Sequence, residues 1–243
     1  MMLKVDRTSM ANSLEVRSPF VDHRLIEYIL KSDYKYIAII DIGINNLRSV
    51  IGALNYLGFK TLITRDKNEI MNSVALILPG VGSFPSGMKN LKKNDLDLTV
   101  KNYFKKGKPI LAICLGYQMI FSSSKEFGHT KGLNIIKGKV KSLKSLKTSF
   151  ISPNLGWNNL NYKRSSKNYL FKNFKNNPAF YFIHSYYAEL KNKKYITSTV
   201  NFGGKKIATS VQYKNLYGVQ FHPEKSSNDG MKIIKNFLNQ IKL

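Results

Sequence analysis

The apolar residues of this chain form two kinds of pattern, which alternate from Tyr36 onward. Short continuous apolar runs that end at glycine or at a polar residue are typical of strands buried on both faces. Such runs occupy residues 36–41, 61–65, 74–80 and 109–114. Apolar residues spaced three and four apart predict helices at 46–57 and 97–105. Strands that alternate with helices predict a parallel sheet covered on both faces.

The second half of the chain has a pattern more typical of strands. Runs of β-branched and aromatic residues occur in LNIIKGKVKSL, AFYFIHSYYAEL, KKIATSVQYK and LYGVQF. A last amphipathic helix is predicted from about Asp229 to Ile241, and the basic, Asn-rich stretch at about 162–178 is interpreted as a mobile loop. We therefore expect an α/β fold to which the second half adds further strands.

The composition limits the class of protein. A hydrophobic content of 43% fits a globular chain, and no apolar run approaches the ~20 residues of a membrane span. The N-terminus, MMLKVDRTSM, has no apolar core typical of a signal peptide. The single cysteine excludes an internal disulfide and any multi-cysteine metal site, and it favours a reducing, cytoplasmic compartment. We expect no metal and no cofactor.

The charge is strongly basic, with 39 Lys and Arg against 14 Asp and Glu and a net charge of +25. Such a charge raises nucleic acid as a partner. However, the lysines are scattered, as in KNYFKKGK and KSLKSLK, and Lys, Asn and Ile are abundant together, which indicates a bias of composition. We interpret the charge as a solvated basic surface, and a non-catalytic module that binds nucleic acid stays as an alternative. Phosphorylated substrates or an acidic protein partner would also suit it.

The only cysteine, Cys114, lies where an apolar strand meets a glycine turn, in KPILAICLGYQMIF. A lone cysteine can be a small core residue. Here small residues flank it at Ala112 and Gly116, as in a strand–turn–helix bend that exposes a nucleophile at the carboxyl edge of a sheet. A helix N-terminus beside the sulfur favours the thiolate, and the N–H of Leu115 would point toward a developing oxyanion.

A thiol nucleophile needs a base, and the base needs a group that orients it. The segment YGVQFHPEKS places His222 and Glu224 two residues apart, on one face of an extended backbone. A carboxylate beside an imidazole fixes its tautomer and stabilises the imidazolium. Taken alone, this segment could equally be an exposed turn.

A glycine loop follows one of the predicted strands, in LPGVGSF at 78–84. Loops of this kind present backbone N–H groups to an anion, which makes the N–H of Val81 a candidate second donor for an oxyanion. An ordinary glycine-rich turn between a strand and a helix would look the same.

Together these motifs resemble the class I glutamine amidotransferases, and most closely the glutaminase subunits of imidazole glycerol phosphate synthase. The resemblance covers residues 36–243, and it rests on ILAICLGYQ, GVQFHPEKS and LPGVGSF together with IIDIGINNLRSV, NLGWN and YFIHSYY. It implies a three-layer α/β fold with a mostly parallel central sheet and an antiparallel extension. It also implies glutamine as substrate, and as partner a (β/α)8-barrel synthase subunit that receives ammonia.

The resemblance also implies roles for individual residues. Cys114 attacks the side-chain amide of glutamine, His222 transfers protons and Glu224 holds His222, while Val81 and Leu115 form the oxyanion hole. The residues implied to line the glutamine pocket are Gly82, Gln118, Glu126, His184 and Ser185. For His184, a packed core histidine remains the alternative. A subunit that supplies ammonia for modification of a surface sugar is an alternative for the function.

Residues 1–35 stand apart from this resemblance. The stretch KVDRTSMANSLEVRSPFVDHRL resembles a short piece of the synthetase domain of asparagine synthetase, but the ATP loop of that family is absent from the sequence. We expect a remnant or fusion product with little structure beyond a helix near 22–31, followed by one amidotransferase domain at 36–243. A tether to an amidating partner is the functional alternative.

Overall fold

The computed structural model describes residues 35–43, 47–149, 151–174 and 178–241. The strands are β1 (Ile37–Ile40), β2 (Thr61–Thr64), β3 (Ala75–Leu78), β4 (Ile110–Ile113), β5 (Ser123–Ser124), β6 (Thr130–Lys131), β7 (Gly138–Ser142), β8 (Asn154–Asn159), β9 (Asn161–Tyr162), β10 (Ala179–His184), β11 (Tyr186–Leu190), β12 (Ile196–Phe202), β13 (Lys205–Tyr213) and β14 (Leu216–Val219). The helices are α1 (Leu47–Tyr56), α2 (Lys67–Asn72), α3 (Phe84–Lys93), α4 (Leu96–Lys105), α5 (Leu115–Met119) and α6 (Ser227–Leu238).

A parallel sheet forms the centre of the fold, with the strand order β2-β1-β3-β4-β14. Next to β14 the direction reverses, because β13 pairs with it antiparallel and continues through β11 into β7. A separate antiparallel ribbon consists of β8 and β10. The α/β fold with a mostly parallel central sheet and antiparallel strands is therefore confirmed.

Alternate residues of the central strands pack on opposite faces of the sheet, which produces three layers. Ile37 and Ile39 of β1 pack in one core with apolar residues of α1 and α6. Ala38 and Ile40 pack in the other core with apolar residues of α2, α3 and α4. The strands β1, β3, β4 and β14 are buried along their whole length because other elements cover both of their faces, whereas β2 at the edge of the sheet is partly exposed.

The parallel strands β1, β3, β4 and β14 all end at the same edge of the sheet. Cys114 follows β4 directly, Pro79 and Gly80 follow β3, and Gln220 follows β14. The carboxyl edge of such a sheet is where open α/β folds place their sites. The chain therefore assembles its polar residues at this edge from segments far apart in sequence.

Several details differ from the sequence-based expectations. Helix α3 was not predicted; its apolar positions Phe84, Met88 and Leu91 are interrupted by Gly87, which conceals the helical spacing. The last helix begins at Ser227 and ends at Leu238, earlier than expected.

The expectation of a mobile loop at about 162–178 is corrected for the residues that the structure describes there. Tyr169–Phe171 form a short 3-10 turn with Leu170 and Phe171 buried. The ring of Phe171 stacks on Tyr162 with centroids 5.1 Å apart. The side-chain amide of Asn236 in α6 donates 2.9 Å hydrogen bonds to the carbonyls of Leu170 and Lys172. These contacts anchor the segment to the core.

The predicted N-terminal segment, residues 1–35, lies outside the described residues apart from Lys35, and so does the helix expected near 22–31. The division into two domains therefore stays a prediction. Within the described part of the chain, no helix is both long enough and apolar enough to cross a membrane.

Candidate active site

Cys114 occupies a strained bend between β4 and α5. Its φ of 54° and ψ of −104° lie outside the regions that a non-glycine residue prefers, and such a conformation persists only where its surroundings enforce it. The N–H of Cys114 donates a 2.8 Å hydrogen bond to the carbonyl of Val219 in β14. The bend turns the chain into α5 and leaves the sulfur in the wall of a pocket at the carboxyl edge of the sheet.

A glycine is required two residues after the cysteine. A Cβ at Gly116 would lie 1.8 Å from the carbonyl oxygen of Leu78 in β3, which is backbone and cannot move aside. Only glycine at position 116 therefore allows α5 to pack this closely against β3. This close approach explains the small residue that the sequence places after Cys114.

His222 and Glu224 form a buried hydrogen-bonded pair. Nδ1 of His222 donates to Oε1 of Glu224 at 2.7 Å, and both side chains are only 4% exposed. A 3-10 turn at Pro223–Lys225 holds the two residues on one side of the backbone. Among the described residues, Nε2 of His222 has no hydrogen-bond partner, and it lies close enough to the Cys114 sulfur for the two groups to interact electrostatically.

The surroundings of His222 favour its protonated form. Burial by itself lowers the pKa of this imidazole, but the adjoining Cys114 sulfur and the Glu224 carboxylate that is hydrogen-bonded to Nδ1 outweigh it and raise the pKa to about 10. At neutral pH the ring is therefore an imidazolium between a carboxylate and the sulfur. This arrangement resembles the ion pair of thiol enzymes in which a histidine activates the cysteine.

The backbone around the two predicted oxyanion donors is arranged differently from the expectation. The N–H of Leu115 donates a 3.2 Å hydrogen bond to the carbonyl of Gly80, so this donor is already occupied. Because a trans peptide places its C=O and N–H on opposite sides, the N–H of Val81 points away from Leu115. In this structure, therefore, the two N–H groups do not converge on one point beside the sulfur.

An open pocket of about 770 Å³ lies beside Cys114. The residues predicted to line a glutamine pocket all lie in its wall: Gly82, Gln118, Glu126, His184 and Ser185. Val81, Leu115 and His222 also line it, whereas Glu224 lies behind His222, in the wall of a smaller neighbouring cavity. The structure thus brings every residue predicted for the site into one region.

Glu126 places a carboxylate in the pocket wall. Its Oε2 accepts a 2.7 Å hydrogen bond from the N–H of Phe84, in the first turn of α3. Burial raises the pKa of this carboxyl, and the hydrogen bond from Phe84 opposes that effect. The helix N-terminus favours the negative form. The second carboxylate oxygen remains for a ligand.

His184 is neutral and bonded to protein on both ring nitrogens. Nδ1 donates to the carbonyl of Tyr186 at 2.8 Å, which fixes the tautomer, and Nε2 then accepts from the side-chain amide of Asn154 at 3.1 Å. Burial lowers the pKa of His184 to about 4; the bond to Tyr186 opposes this shift, and the charge of His222 adds to it. A ligand can therefore contact the ring of His184 but finds no vacant nitrogen there.

Sequence reasoning missed Gln220, which the structure places against the sulfur. Nε2 of Gln220 donates to Sγ of Cys114 at 3.8 Å, and the side chain is buried. The signal that could have found it was its position two residues before His222, on the same face of an extended segment. Within the described residues, no group of three His, Cys, Asp or Glu side chains could hold a metal ion.

The comparison with protein families agrees with this geometry. The family model "Glutamine amidotransferase class-I" matches residues 38–241, which is most of the chain. The chain belongs to the class I glutamine amidotransferase family. A second family model, "Asparagine synthase", matches residues 1–49, where the N-terminal resemblance was expected.

The amidotransferase is also similar to curated proteins named imidazole glycerol phosphate synthase subunit HisH. It is 44% identical to that of Caldanaerobacter subterraneus subsp. tengcongensis over 206 residues, which are 85% of this chain and 98% of the relative. It is 42% identical to that of Moorella thermoacetica over 201 residues, which are 83% of this chain and 93% of the relative. The predicted resemblance to these glutaminase subunits is confirmed.

Solved structures with the same fold are more distant in sequence. The structure of PurLQS from Thermotoga maritima aligns with a TM-score of 0.66 at 19% identity and covers 86% of the amidotransferase and 100% of its own chain. The structure of a putative GMP synthase component from Thermoplasma acidophilum aligns with a TM-score of 0.62 at 20% identity, over 85% and 93% of the two chains. These likenesses concern the fold alone.

Proposed function

We propose that this chain is the glutaminase subunit of an imidazole glycerol phosphate synthase. It hydrolyses glutamine to glutamate and ammonia, and a cyclase partner uses the ammonia to make imidazole glycerol phosphate for histidine synthesis. The observation that supports the chemistry is the buried pair of His222 and Glu224 facing Cys114 beside an open pocket. The observation that supports the pathway is the similarity to subunits named HisH over nearly their whole length.

The proposed first half-reaction forms a thioester. The Cys114 thiolate attacks the side-chain amide carbon of glutamine, and the carbonyl oxygen becomes an oxyanion. The tetrahedral intermediate then expels its nitrogen, which takes a proton from Nε2 of the His222 imidazolium and leaves as ammonia. Glu224 keeps Nδ1 of His222 hydrogen-bonded throughout, so Nε2 stays directed at the sulfur.

The second half-reaction hydrolyses the thioester. Neutral His222 removes a proton from a water molecule, whose oxygen attacks the thioester carbon. The carbon–sulfur bond then breaks, and Cys114 returns as a thiolate while His222 returns as an imidazolium. Glutamate leaves through the open pocket. Glu126 is the proposed site for the α-ammonium group of glutamine. One of its carboxylate oxygens accepts the N–H of Phe84 at the start of α3, and the other is left for the ammonium group.

The chemistry also requires a change at the glycine loop. Both tetrahedral intermediates carry an oxyanion, and in the structure the Leu115 N–H is bonded to the Gly80 carbonyl. Rotation of the Gly80–Val81 peptide would release Leu115 and turn the N–H of Val81 toward the same point. We therefore expect the isolated chain to be slow, and a partner to accelerate it by stabilising the rotated peptide.

The proposed docking surface for the partner is the outward face of the ribbon β8–β10. Leu155 and Trp157 of β8 are 61% and 55% exposed. Leu155 pairs across the ribbon with Ile183, which is 47% exposed and also lines the pocket. An apolar face of this kind is typical of a protein interface. A (β/α)8-barrel partner seated there would lie next to the pocket mouth.

A glutamate-release assay tests the enzymatic proposal. Wild type is measured alone and with a cyclase subunit of imidazole glycerol phosphate synthase, and we expect the partner to increase the rate. Cys114→Ala should lower the rate with partner by at least ~10³-fold, because the nucleophile is removed. An unchanged rate in this variant would show that Cys114 is not the nucleophile. Strong stimulation by a sugar-modifying synthase, without stimulation by the cyclase subunit, would favour a surface sugar as the acceptor of the ammonia.

A second measurement tests the docking surface. Trp157→Glu should weaken partner affinity by about 30-fold or more, because large aromatic residues dominate such interfaces and a buried charge opposes docking. Leu98→Glu in α4 is the matched control, since Leu98 is also 55% exposed but lies on another element. Equal partner affinity of the two variants, measured by titration calorimetry, would exclude the ribbon as the docking surface.

A further inference from the structure

Gln220 is an amide buried beside the nucleophile. Its side chain is 1% exposed, and its backbone follows β14 at the point where Val219 accepts the N–H of Cys114. The N–H of Gln220 donates to the carbonyl of Thr209 in β13 at 2.8 Å, so the residue is fixed between two strands. A buried amide is costly unless its polar atoms have partners.

The hydrogen bonds of Gln220 assign the orientation of its amide. Gln118 must direct its NH₂ group toward the carbonyl of Tyr186, which can only accept, at 3.1 Å. The same NH₂ group lies 3.0 Å from the Gln220 amide, so the atom that faces it is the oxygen. The nitrogen of Gln220 therefore faces Sγ of Cys114, at 3.8 Å. The side chain presents an N–H donor, not an acceptor, to the sulfur.

A donor in this position acts on the nucleophile itself. Hydrogen bonding to the charged form of a group favours that form, so the amide of Gln220 favours the thiolate over the thiol. The same hydrogen bond holds the sulfur at a fixed place in the pocket wall. Because Gln220 is neutral, it stabilises the thiolate without competing with His222 for the proton.

We propose that Gln220 is a positioning residue that holds and activates the sulfur of Cys114 by donating an N–H to it, with Gln118 and the Tyr186 carbonyl fixing the donor. This inference rests on the proposed glutaminase function and adds a residue to its machinery. It also gives Gln118 a second task, since the hydrogens of its amide are directed into the protein and only its oxygen remains for glutamine.

The test uses the single cysteine of the chain, because alkylation by iodoacetamide then reports on Cys114 alone. Gln220→Glu keeps the shape but replaces the donor by an acceptor, and Gln220→Met keeps the length without a polar group. In both variants we expect the pH profile of alkylation to move to higher pH, with about tenfold slower labelling at neutral pH, because the thiolate loses a hydrogen-bond donor. The other titratable groups that line this pocket are unchanged in both variants: Glu126, His184, Tyr186 and His222.

Turnover is measured in parallel with the cyclase partner. We expect kcat to fall by about tenfold or more with KM within about threefold, because the sulfur and not the pocket is altered. Gln212→Met is the matched control, since Gln212 lies in the neighbouring strand β13 and accepts the N–H of Tyr169. It should leave both the labelling profile and kcat at wild-type values.

Each outcome decides the inference. Wild-type labelling profiles and kcat in both Gln220 variants would overturn it. A shifted profile in a protein whose wild type releases no glutamate would support the contact while contradicting the glutaminase function. If neither variant folds, the side-chain amide resonance of Gln220 in wild type decides. It should move as Cys114 ionises and stop moving once Cys114 is alkylated, and a resonance insensitive to Cys114 would overturn the inference.

Discussion

At the scale of single residues, burial and neighbouring groups together determine which histidine of the pocket is protonated. Burial lowers the pKa of both rings, but the adjoining Cys114 sulfur and Glu224 carboxylate raise the pKa of His222, whereas the charge of His222 adds to the lowering at His184. The two imidazoles of one pocket therefore carry different charges at neutral pH. His222 can exchange protons with a substrate, while His184 serves as a neutral part of the wall.

The lowered pKa of His184 predicts an acid-sensitive fold. An unfolded histidine takes up a proton near pH 6.5, while the folded one does so near pH 4. Between these values the unfolded chain gains the proton first, so stability falls as the pH falls. In His184→Gln, the loss of unfolding free energy between pH 7.5 and pH 4 should be about 3 kcal/mol smaller than in wild type, as measured by denaturant unfolding.

The control for this measurement is His129→Gln, which removes one exposed histidine directly before β6. Its unfolding free energy at pH 7.5 should lie within about 0.5 kcal/mol of wild type. If the unfolding free energy of the His184 variant changed with pH as much as that of wild type between pH 7.5 and pH 4, the neutral state of the buried ring would be contradicted.

At the scale of elements, the site depends on how closely α5 approaches β3. The absence of a side chain at Gly116 lets the first turn of α5 pack on the carbonyl of Leu78, which places Cys114 at the edge of the sheet. The bend is thus a property of three elements together, β3, β4 and α5. Its strain at Cys114 is balanced by this packing.

Gly116→Ala should therefore destabilise the fold by about 3 kcal/mol or more, since overpacking against backbone has no cheap relief. Chemical unfolding of the variant measures this loss. Gly52→Ala in α1 is the matched control, because a Cβ there meets nothing within 4 Å. The control should gain about 0.5–1 kcal/mol through helix propensity. Equal stability of the two variants would contradict the proposed packing.

The elements also show what the sequence could and could not predict. The buried strands β1, β3 and β4 were predictable because continuous apolar runs between polar ends have few other structures. The cluster of Cys114 and His222 was predictable because strand ends converge at one edge. The hydrogen bond from the Leu115 N–H to the Gly80 carbonyl could not be predicted, since the orientation of a peptide bond cannot be deduced from the residue types beside it. The contact of Gln220 with Cys114 was not predicted, because a glutamine amide belongs to none of the catalytic motifs found in the sequence.

At the scale of the whole molecule, the residues of the site all come from the part of the chain that the amidotransferase family model matches, 38–241. The relatives named HisH align over 93% and 98% of their own length while using 83% and 85% of this chain. We propose that the N-terminal segment, residues 1–35, adds to a domain that is already as long as these relatives, and that it has no part in glutamine hydrolysis.

Deletion of residues 1–33 should accordingly leave kcat and KM for glutamine within about twofold of wild type, in the presence of the partner. A steady-state glutamate-release assay on both proteins measures this. A drop of tenfold or more in kcat would instead indicate that the segment supports the site or the partner.

The bond between the Leu115 N–H and the Gly80 carbonyl bears on how the protein could be inhibited. A reactive glutamine analogue that alkylates Cys114 needs no oxyanion, so it should label the isolated chain and the assembled one alike. A compound that imitates the tetrahedral intermediate needs both backbone donors, and in the isolated chain Leu115 is already engaged. Such a compound would therefore select the assembled enzyme, and its affinity would report how much of the population has the glycine loop rotated.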